Sequence, residues 1–169
     1  MRIISGSHKG RRLSAPKKLP VRPTTDRSKE ALFNILQHQF DWKDITVLDL
    51  FAGTGSISYE FGSRGVKNII AVDQNKMCVD YIRKTSEMLE LPILVIQMET
   101  LKYLSIVKSQ FDLIFADPPY NLGNINYLDF ITRVFSNKLL NDGGLLIIEH
   151  SEQEKLASHA NFLQSRKYG

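Results

Sequence analysis

The 169-residue chain has little cysteine and little histidine: Cys78 stands alone, and four histidines are scattered along the sequence. A single cysteine cannot form an internal disulfide, so we expect a cytoplasmic protein in which Cys78 is a buried thiol. The same scarcity leaves no metal-ligand spacing, and we predict no metal. No apolar run reaches the roughly 18 residues of a membrane span, and the N-terminus lacks the apolar core of a secretion signal.

Two common nucleotide-binding motifs are absent as well. The dinucleotide fingerprint needs a third glycine where this chain has Ser58, and no P-loop ending in G-K-[ST] is present. The chain has instead D-x-F-x-G-x-G, from Asp49 to Gly55, after an apolar strand predicted over 45–50. A helix is predicted from Ser56. This loop would therefore place a carboxylate and two glycines at a helix N-terminus, where the backbone can approach a ligand closely.

Acidic residues are scarce in the first 29 positions, where nine Lys or Arg accompany Asp26 alone, whereas the remainder carries thirteen bases and seventeen acids. Such clustering predicts a polyanionic partner, and the alternative is a solvated tail. Residues 2–14 predict a small β-hairpin, and we place a boundary between a basic arm, 1–22, and a body, 23–169. We expect Lys29 to project towards a ligand or RNA. The candidate RNA contacts are Lys9, Arg11, Arg12, Arg22 and Arg27.

Apolar runs alternate with amphipathic segments through the body, which predicts an α/β fold with a doubly wound, mostly parallel sheet. The predicted strands are 45–50, 68–72, 93–97, 111–116 and 145–149, with a turn at 141–144 and a further strand beginning at 162. The predicted helices are 25–39, 56–64, 75–90, 99–108, 125–139 and 152–160.

Polar residues stand at the ends of the second and third strands. Asp73 lies 18 residues beyond Gly55, and an acid at this place in α/β nucleotide sites accepts hydrogen bonds from ribose hydroxyls, with Gln74 beside it. Glu99 can accept from an adenine amino group while Met98 packs on the ring. Alternatively, Glu99 only lies in the first turn of the fourth helix.

The fourth strand ends in Asp117-Pro118-Pro119-Tyr120. Two prolines fix the backbone and remove two N–H groups, so the Asp117 side chain and the Pro118 carbonyl can each accept one hydrogen of an exocyclic amine. Tyr120 offers a face on which an unstacked base can stack. The lone pair of such an amine is delocalised, so positioning and electrostatics would supply most of the catalysis of a methyl transfer.

These motifs resemble the [DNS]-P-P-[YFW] amino-methyltransferases, a class that includes DNA adenine-N6, DNA cytosine-N4 and RNA guanine-N2 enzymes. The N-terminal part resembles the RsmD family, which methylates N2 of one guanine in bacterial 16S ribosomal RNA with S-adenosyl-L-methionine (AdoMet). The resemblance covers nearly the whole chain, in order. It rests on the segments Arg2-Ile3-Ile4-Ser5-Gly6, Lys9-Gly10-Arg11-Arg12-Leu13, Arg22-Pro23-Thr24-Thr25-Asp26-Arg27 and Glu30-Ala31-Leu32-Phe33-Asn34.

The resemblance implies a Rossmann-like class I AdoMet methyltransferase that acts on the small ribosomal subunit or its precursor, and we take a monomer as the default. It implies that Asp117 and Pro118 hold the guanine amine and that Tyr120 stacks on the base. The implied cofactor contacts are Asp49, Phe51, Gly53 and Gly55 for the methionine part, Asp73 for the ribose and Glu99 for the adenine. Further candidate cofactor contacts are Ala52, Gln74 and Thr100.

Two features depart from the family pattern. Glu99 stands where a shorter Asp or Asn is usual, and the chain ends at Gly169 where the family continues into a closing strand. We therefore expect a missing C-terminal strand and an unpaired sheet edge. Two other functions stay open: a DNA adenine methylase with the same chemistry, and an RNA-binding assembly factor with a vestigial AdoMet site. The intact glycines and the Asp-Pro-Pro-Tyr motif favour an enzyme.

Overall fold

Five parallel strands form one sheet in a computed structural model that describes residues 1–16, 19, 25–118, 127–154 and 156–167. The strand order is β3-β2-β1-β4-β5, which confirms the predicted doubly wound arrangement. The direction of winding reverses between β1 and β4, and ligands of such sheets bind at this switch point. The strands are β1 Thr46–Leu50, β2 Asn68–Asp73, β3 Ile93–Gln97, β4 Phe111–Ala116 and β5 Leu140–Ile148.

The helices begin where the sequence supplies a cap. Thr25 caps the first, because its hydroxyl accepts from the backbone N–H of Ser28, and Asn75 caps the third by accepting from Met77 and Cys78. None of the helices within the described ranges is long and apolar enough to cross a membrane. The helices are α1 Asp26–Leu36, α2 Ser56–Ser63, α3 Lys76–Met88, α4 Thr100–Ile106 and α5 Tyr127–Ser136.

Alternating residues of the central strands bury against opposite helical layers. Leu48 and Leu50 face a cluster built with α4 and α5. Val47 and Leu113 face a second cluster built with α1 and α2. Both faces of the sheet are thus covered, which is why β1 and β4 are mostly apolar.

The N-terminal residues form the predicted hairpin. Arg2 pairs with Arg12 across an antiparallel bridge, and the Ile3 N–H donates to the Arg11 carbonyl at 3.0 Å. Ile3 and Leu13 are buried in a third apolar cluster against α2 and α3, so the hairpin packs on the body. The boundary predicted near residue 22 lies outside the described residues.

The C-terminal predictions are wrong in three respects. The predicted helix 152–160 is only a 3-10 turn, Leu156–Ser158, and no strand occurs over 162–167. Both stretches are mostly exposed, so little apolar burial supports regular structure there. The turn predicted at 141–144 lies inside β5, as an irregularity through which Leu113 pairs with Leu145 rather than with residue 142.

Candidate functional site

The loop between β1 and α2 is held in an unusual backbone conformation. Phe51, Gly53 and Gly55 have φ of +58°, +54° and +76°. A Cβ on Gly55 would lie 2.8 Å from Cζ of Tyr59 and 3.0 Å from Cγ1 of Ile82, so both angle and space require glycine. Phe51 has no such freedom, and a non-glycine residue in this region costs about 1–2 kcal/mol. The sequence pattern did not predict this strain, which lies within the proposed cofactor loop.

Asp73 fixes the same loop from the end of β2. Its Oδ2 accepts from the backbone N–H of Gly53 at 2.8 Å, and its Oδ1 accepts from that of Asn75 at 2.8 Å. Each carboxylate oxygen keeps a second lone pair for a further donor. Asp73 is half-buried and touches the glycine loop, so the predicted ribose acceptor lies beside the predicted methionine site.

Asp49 is the most deeply buried acid of the loop region, with 1% of its surface exposed. Its Oδ2 accepts from the backbone N–H of Ser58 at 3.1 Å and from the Ser58 hydroxyl at 2.5 Å. Burial raises the pKa of Asp49 to about 7, although both bonds from Ser58 oppose the shift. A cation beside this carboxylate would be strongly favoured, because it would relieve the buried negative charge.

The third strand brings Glu99 to the same edge of the sheet, but in a structural role. Its Oε1 accepts from the N–H of Leu101 and its Oε2 from that of Lys102, each at 2.9 Å, so Glu99 caps α4. The contact of Glu99 with adenine stays a prediction. Asp73 draws the ends of β2 and β3 together, since its carbonyl accepts from Met98 N–H at 3.0 Å. Of the other predicted contacts here, Thr100 is buried and Gln74 is exposed.

The Asp-Pro-Pro-Tyr motif follows the strand that pairs directly with β1. Leu50 and Ala116 are partners in register, so Asp117 continues from β4 at the level where Phe51 continues from β1. Asp117 is half-buried and Pro118 is buried. Pro119 and Tyr120 lie outside the described residues. The structure therefore brings Asp117 and Pro118 to the same sheet edge as the glycine loop.

The described members of the predicted RNA contacts lie in the hairpin and in the first turn of α1. Lys9, Arg11 and Arg12 of the hairpin are exposed, as is Arg27 in the first turn of α1. Arg12 pairs with Arg2 at the end of the hairpin near the glycine loop. Arg11 lies further along and lines an open cleft of about 510 Å³ at the other end of α2. Arg22 lies outside the described residues.

The prediction that Lys29 projects outward is wrong. Lys29 is 1% exposed, and its Nζ donates to the Arg2 carbonyl at 2.6 Å and to the Ser56 hydroxyl at 3.1 Å. Its Nζ is 3.7 Å from Oε2 of Glu60, which is fully buried. Burial lowers the pKa of Lys29, and the Glu60 charge opposes that shift. Sequence reasoning missed Glu60, although Ser56, Glu60 and Ser63 recur at helical spacing and could have indicated a polar face of α2.

Comparison with known proteins places these observations in a family. The family model described as "Conserved hypothetical protein 95" matches residues 1–169. "Putative rRNA methyltransferase YlbH" of Bacillus subtilis is 34% identical over 161 residues, which span 92% of this chain and 85% of that protein. "Ribosomal RNA small subunit methyltransferase D" of Haemophilus influenzae is 30% identical over 167 residues, which span 96% and 84% of the two chains.

Solved structures share the fold. "Putative methyltransferase yhhF from Escherichia coli" matches with a TM-score of 0.85 at 28% identity, over 100% of this chain and 91% of that chain. A coclaurine N-methyltransferase bound to S-adenosyl-homocysteine matches with a TM-score of 0.58 at 21% identity, over 76% of this chain and 36% of that one. The second likeness concerns the fold alone. The predicted Rossmann-like architecture is confirmed.

Proposed function

Because the chain belongs to the family described as conserved hypothetical protein 95, the RsmD family, we propose that it methylates N2 of a guanine in 16S ribosomal RNA. The chain is an AdoMet-dependent methyltransferase by family and fold. The curated relatives are named for ribosomal RNA, which supports that substrate class. The proposal has three finer parts: methylation at guanine N2, the assembling small subunit as the substrate, and action as a cytoplasmic monomer.

The glycine loop fits AdoMet in two respects. Tyr59 and Ile82 fill the space that a Cβ would take at Gly55, so the glycine loop has a fixed, preformed shape, and it leads directly into the N-terminus of α2. Asp49 is a buried carboxylate with a raised pKa, and the ammonium group of an amino-acid moiety would supply the missing positive charge. Asp73 would accept from ribose hydroxyls with the lone pairs that Gly53 and Asn75 leave unused.

AdoMet would supply an electrophilic methyl group on its sulfonium. The Asp117 carboxylate and the Pro118 carbonyl would accept the two N–H groups of the guanine amine, which orients the amine and draws electron density onto its nitrogen. The nitrogen would form a bond to the methyl carbon as the carbon–sulfur bond breaks and S-adenosyl-homocysteine leaves, and the methylated amine would then release one proton to water. Tyr120 would stack on the flipped base.

One structural observation supports the proposed function more strongly than the other observations. Leu50 and Ala116 are paired, so the glycine loop and Asp117-Pro118 leave adjacent strands at the switch point of the sheet. A methyl donor on the first strand and a base amine on the second would then meet across a single strand spacing, which is about 4.8 Å.

Labelled AdoMet incubated with unmodified bacterial small subunits, and with DNA in a parallel reaction, tests the proposal by nucleoside digestion. We expect label in N2-methylguanosine from the RNA. Asp117→Ala should lower the rate by about 100-fold or more while RNA affinity stays within about threefold. Asp80→Ala, which removes an exposed acid of the Lys76–Asp80 pair, is the matched control and should keep the full rate.

Three outcomes would contradict the proposal. Label in N6-methyladenine from DNA would keep the site and overturn the substrate. An undiminished rate for Asp117→Ala would overturn the assignment of that residue. An absence of label in both reactions, with RNA binding retained, would favour the assembly factor.

A further inference from the structure

A buried polar stripe runs along the face of α2 that meets the hairpin. Ser56, Glu60 and Ser63 follow one another at helical spacing, and their exposed fractions are 5%, 0% and 3%. Buried polar groups are unfavourable unless they are hydrogen-bonded, so each member of the stripe needs a partner.

Glu60 and Ser63 bind backbone groups in the first strand and the turn of the hairpin. Glu60 accepts from the N–H of Ile4 through Oε2 at 2.8 Å and from that of Ser5 through Oε1 at 3.0 Å. The Ser63 hydroxyl donates to the Ser5 carbonyl at 2.6 Å and accepts from the His8 N–H at 2.9 Å. Because the contacts are to the backbone, the stripe fixes the place of the strand rather than recognising its side chains.

Gly6 shows how closely the two elements approach. Its φ is +81°, and a Cβ at this position would lie 1.8 Å from the carbonyl oxygen of Ser63. Any larger residue at this position would push the hairpin away from α2. The hairpin can therefore pack against α2 in one position.

Lys29 connects the hairpin to the residue that follows the glycine loop. Its ammonium contacts the Arg2 carbonyl in the hairpin and the Ser56 hydroxyl, and Ser56 directly follows Gly55. Arg64 also binds Glu60, with Nε at 2.9 Å from Oε1, so two cations flank one buried carboxylate. Losing either partner of such a buried pair leaves an uncompensated charge.

We propose that Lys29 and Glu60 are positioning residues, which hold the basic hairpin at a fixed place relative to the glycine loop so that bound RNA presents one base to Asp117. This inference rests on the proposed function, because it assumes that the hairpin contacts RNA. Arg2 and Arg12 lie at the end of the hairpin that Lys29 connects to Ser56, so a shift of the hairpin displaces these basic residues relative to the glycine loop. A displacement of about 1 Å can lower a rate by about 100-fold.

Lys29→Met is the main test, because it removes the ammonium and keeps much of the side-chain length. Below the unfolding temperature of every variant, kcat on small subunits should fall by about 100-fold while AdoMet affinity stays within about threefold. Mapping the methylated positions should show label at guanines beside the target. Lys29→Arg keeps a donor and should recover part of the rate at the original guanine.

Ser63→Ala is the milder companion variant, in case Lys29→Met does not fold. It removes only the two hydroxyl contacts to Ser5 and His8 and should lower kcat by about tenfold, with some label at neighbouring guanines. Lys76→Met breaks the exposed Lys76–Asp80 pair and serves as the control, for which we expect wild-type behaviour.

Several outcomes would overturn the inference. If folded Lys29→Met or Ser63→Ala keeps the wild-type kcat and a single methylated guanine, the stripe serves stability alone and the proposed function survives. Equal losses of AdoMet affinity and of RNA turnover would have the same meaning, since a loosened fold affects both sites. If the wild-type chain neither binds nor methylates RNA, the proposed function fails and the inference fails with it.

Discussion

Two aspartates at opposite edges of the sheet differ in how their carboxylates are hydrogen-bonded and in the direction in which their pKa values are shifted. Asp112, at the amino edge, accepts from Thr46 through its N–H at 2.7 Å and its hydroxyl at 2.9 Å, and from the Asn141 side chain at 2.8 Å. Burial alone would raise the pKa of Asp112, but these bonds outweigh it and the pKa lies below its usual value. Asp49, at the carboxyl edge, accepts hydrogen bonds from Ser58 alone among the described residues, and its pKa is raised to about 7.

We propose that the difference separates two edges with different roles: the amino edge stabilises the fold (the stability edge), and the carboxyl edge binds the ligand (the ligand edge). At the amino edge, the protein satisfies its own carboxylate and joins β1, β4 and β5 through it. At the carboxyl edge, burial is not matched by internal donors, and Phe51 adds backbone strain. Shifted pKa values and strain are typical of functional sites, because the folded protein keeps them at a loss of stability that a ligand can recover.

Gly55→Ala should give the largest effect at the ligand edge. The new Cβ would lie 2.8 Å from Cζ of Tyr59, and φ of +76° is unfavourable for alanine. We expect a loss of about 1–3 kcal/mol in the free energy of unfolding and a loss of AdoMet affinity of about 100-fold or more. Thermal unfolding and calorimetric titration measure the two quantities.

Gly143→Ala is the matched control for Gly55→Ala. It has nearly the same φ, +77°, but open space around the new Cβ. We expect similar strain in the control without loss of AdoMet affinity. Equal losses of affinity in both variants would mean that backbone strain, rather than displacement of the glycine loop by the clash with Tyr59, explains the effect.

Asp49→Asn should separate binding from stability. The folded pKa is raised from about 4 to about 7, so the folded state binds the proton more tightly than the unfolded one. Stability from this group is complete below about pH 4, decreases as pH rises towards 7 and is constant above it. The variant lacks this decrease, so at pH 8 it should be more stable than wild type by roughly 2–4 kcal/mol, and equally stable near pH 4.

The same variant should bind AdoMet more weakly. An ionised Asp49 attracts an ammonium group, so wild-type affinity should rise with pH through the range near 7, whereas the affinity of Asp49→Asn should stay flat and lower by about tenfold. Titration calorimetry at pH 6 and pH 8 distinguishes the two profiles. A variant that binds as well as wild type would remove Asp49 from the proposed site.

Much of the fold could be predicted because apolar runs with clear ends determine it. The bounds of β3 and β4 match the prediction. Pro92 directly precedes β3 and Asp117 directly follows β4, so the sequence marks one end of each strand. The helix and the strand predicted after β5 were wrong because these residues bury little apolar surface. Their helix-like pattern has little to pack against in the described residues, and periodicity is a weak guide without burial.

The sequence predicted which residues lie at the carboxyl edge of the sheet better than it predicted their hydrogen-bond partners. Strand ends placed Asp73 and Asp117 at one edge, because parallel strands share their carboxyl side. The pattern could not show that Glu99 caps α4, since capping and ligand contact use the same residue type. Nor could it show that Lys29 is buried, because its partner Glu60 lies 31 positions along the chain, and no local rule pairs residues at that distance.

Asp112→Ala tests the stability edge. The change leaves the Thr46 N–H and the Asn141 amide without an acceptor, and we expect a loss of about 1–3 kcal/mol in the free energy of unfolding. AdoMet affinity of the folded variant should be unchanged. The wild-type advantage should decrease in acid, because a carboxylate with a lowered pKa stabilises the fold only while it is ionised. A pH-independent difference, or weaker AdoMet binding, would break the division between the two edges.

Tyr59→Phe should give the smallest effect and sharpens the comparison at the ligand edge. The Tyr59 hydroxyl is fully buried beneath Gly55 and has no hydrogen-bond partner among the described residues. Burial outweighs the effect of the nearby Thr85 hydroxyl and raises the pKa of Tyr59. Removing an unsatisfied hydroxyl while keeping the ring should leave stability unchanged or raise it by up to about 1 kcal/mol. A lower Tm would show that the hydroxyl is satisfied in solution, and weaker AdoMet binding at unchanged Tm would show that its partner is the cofactor.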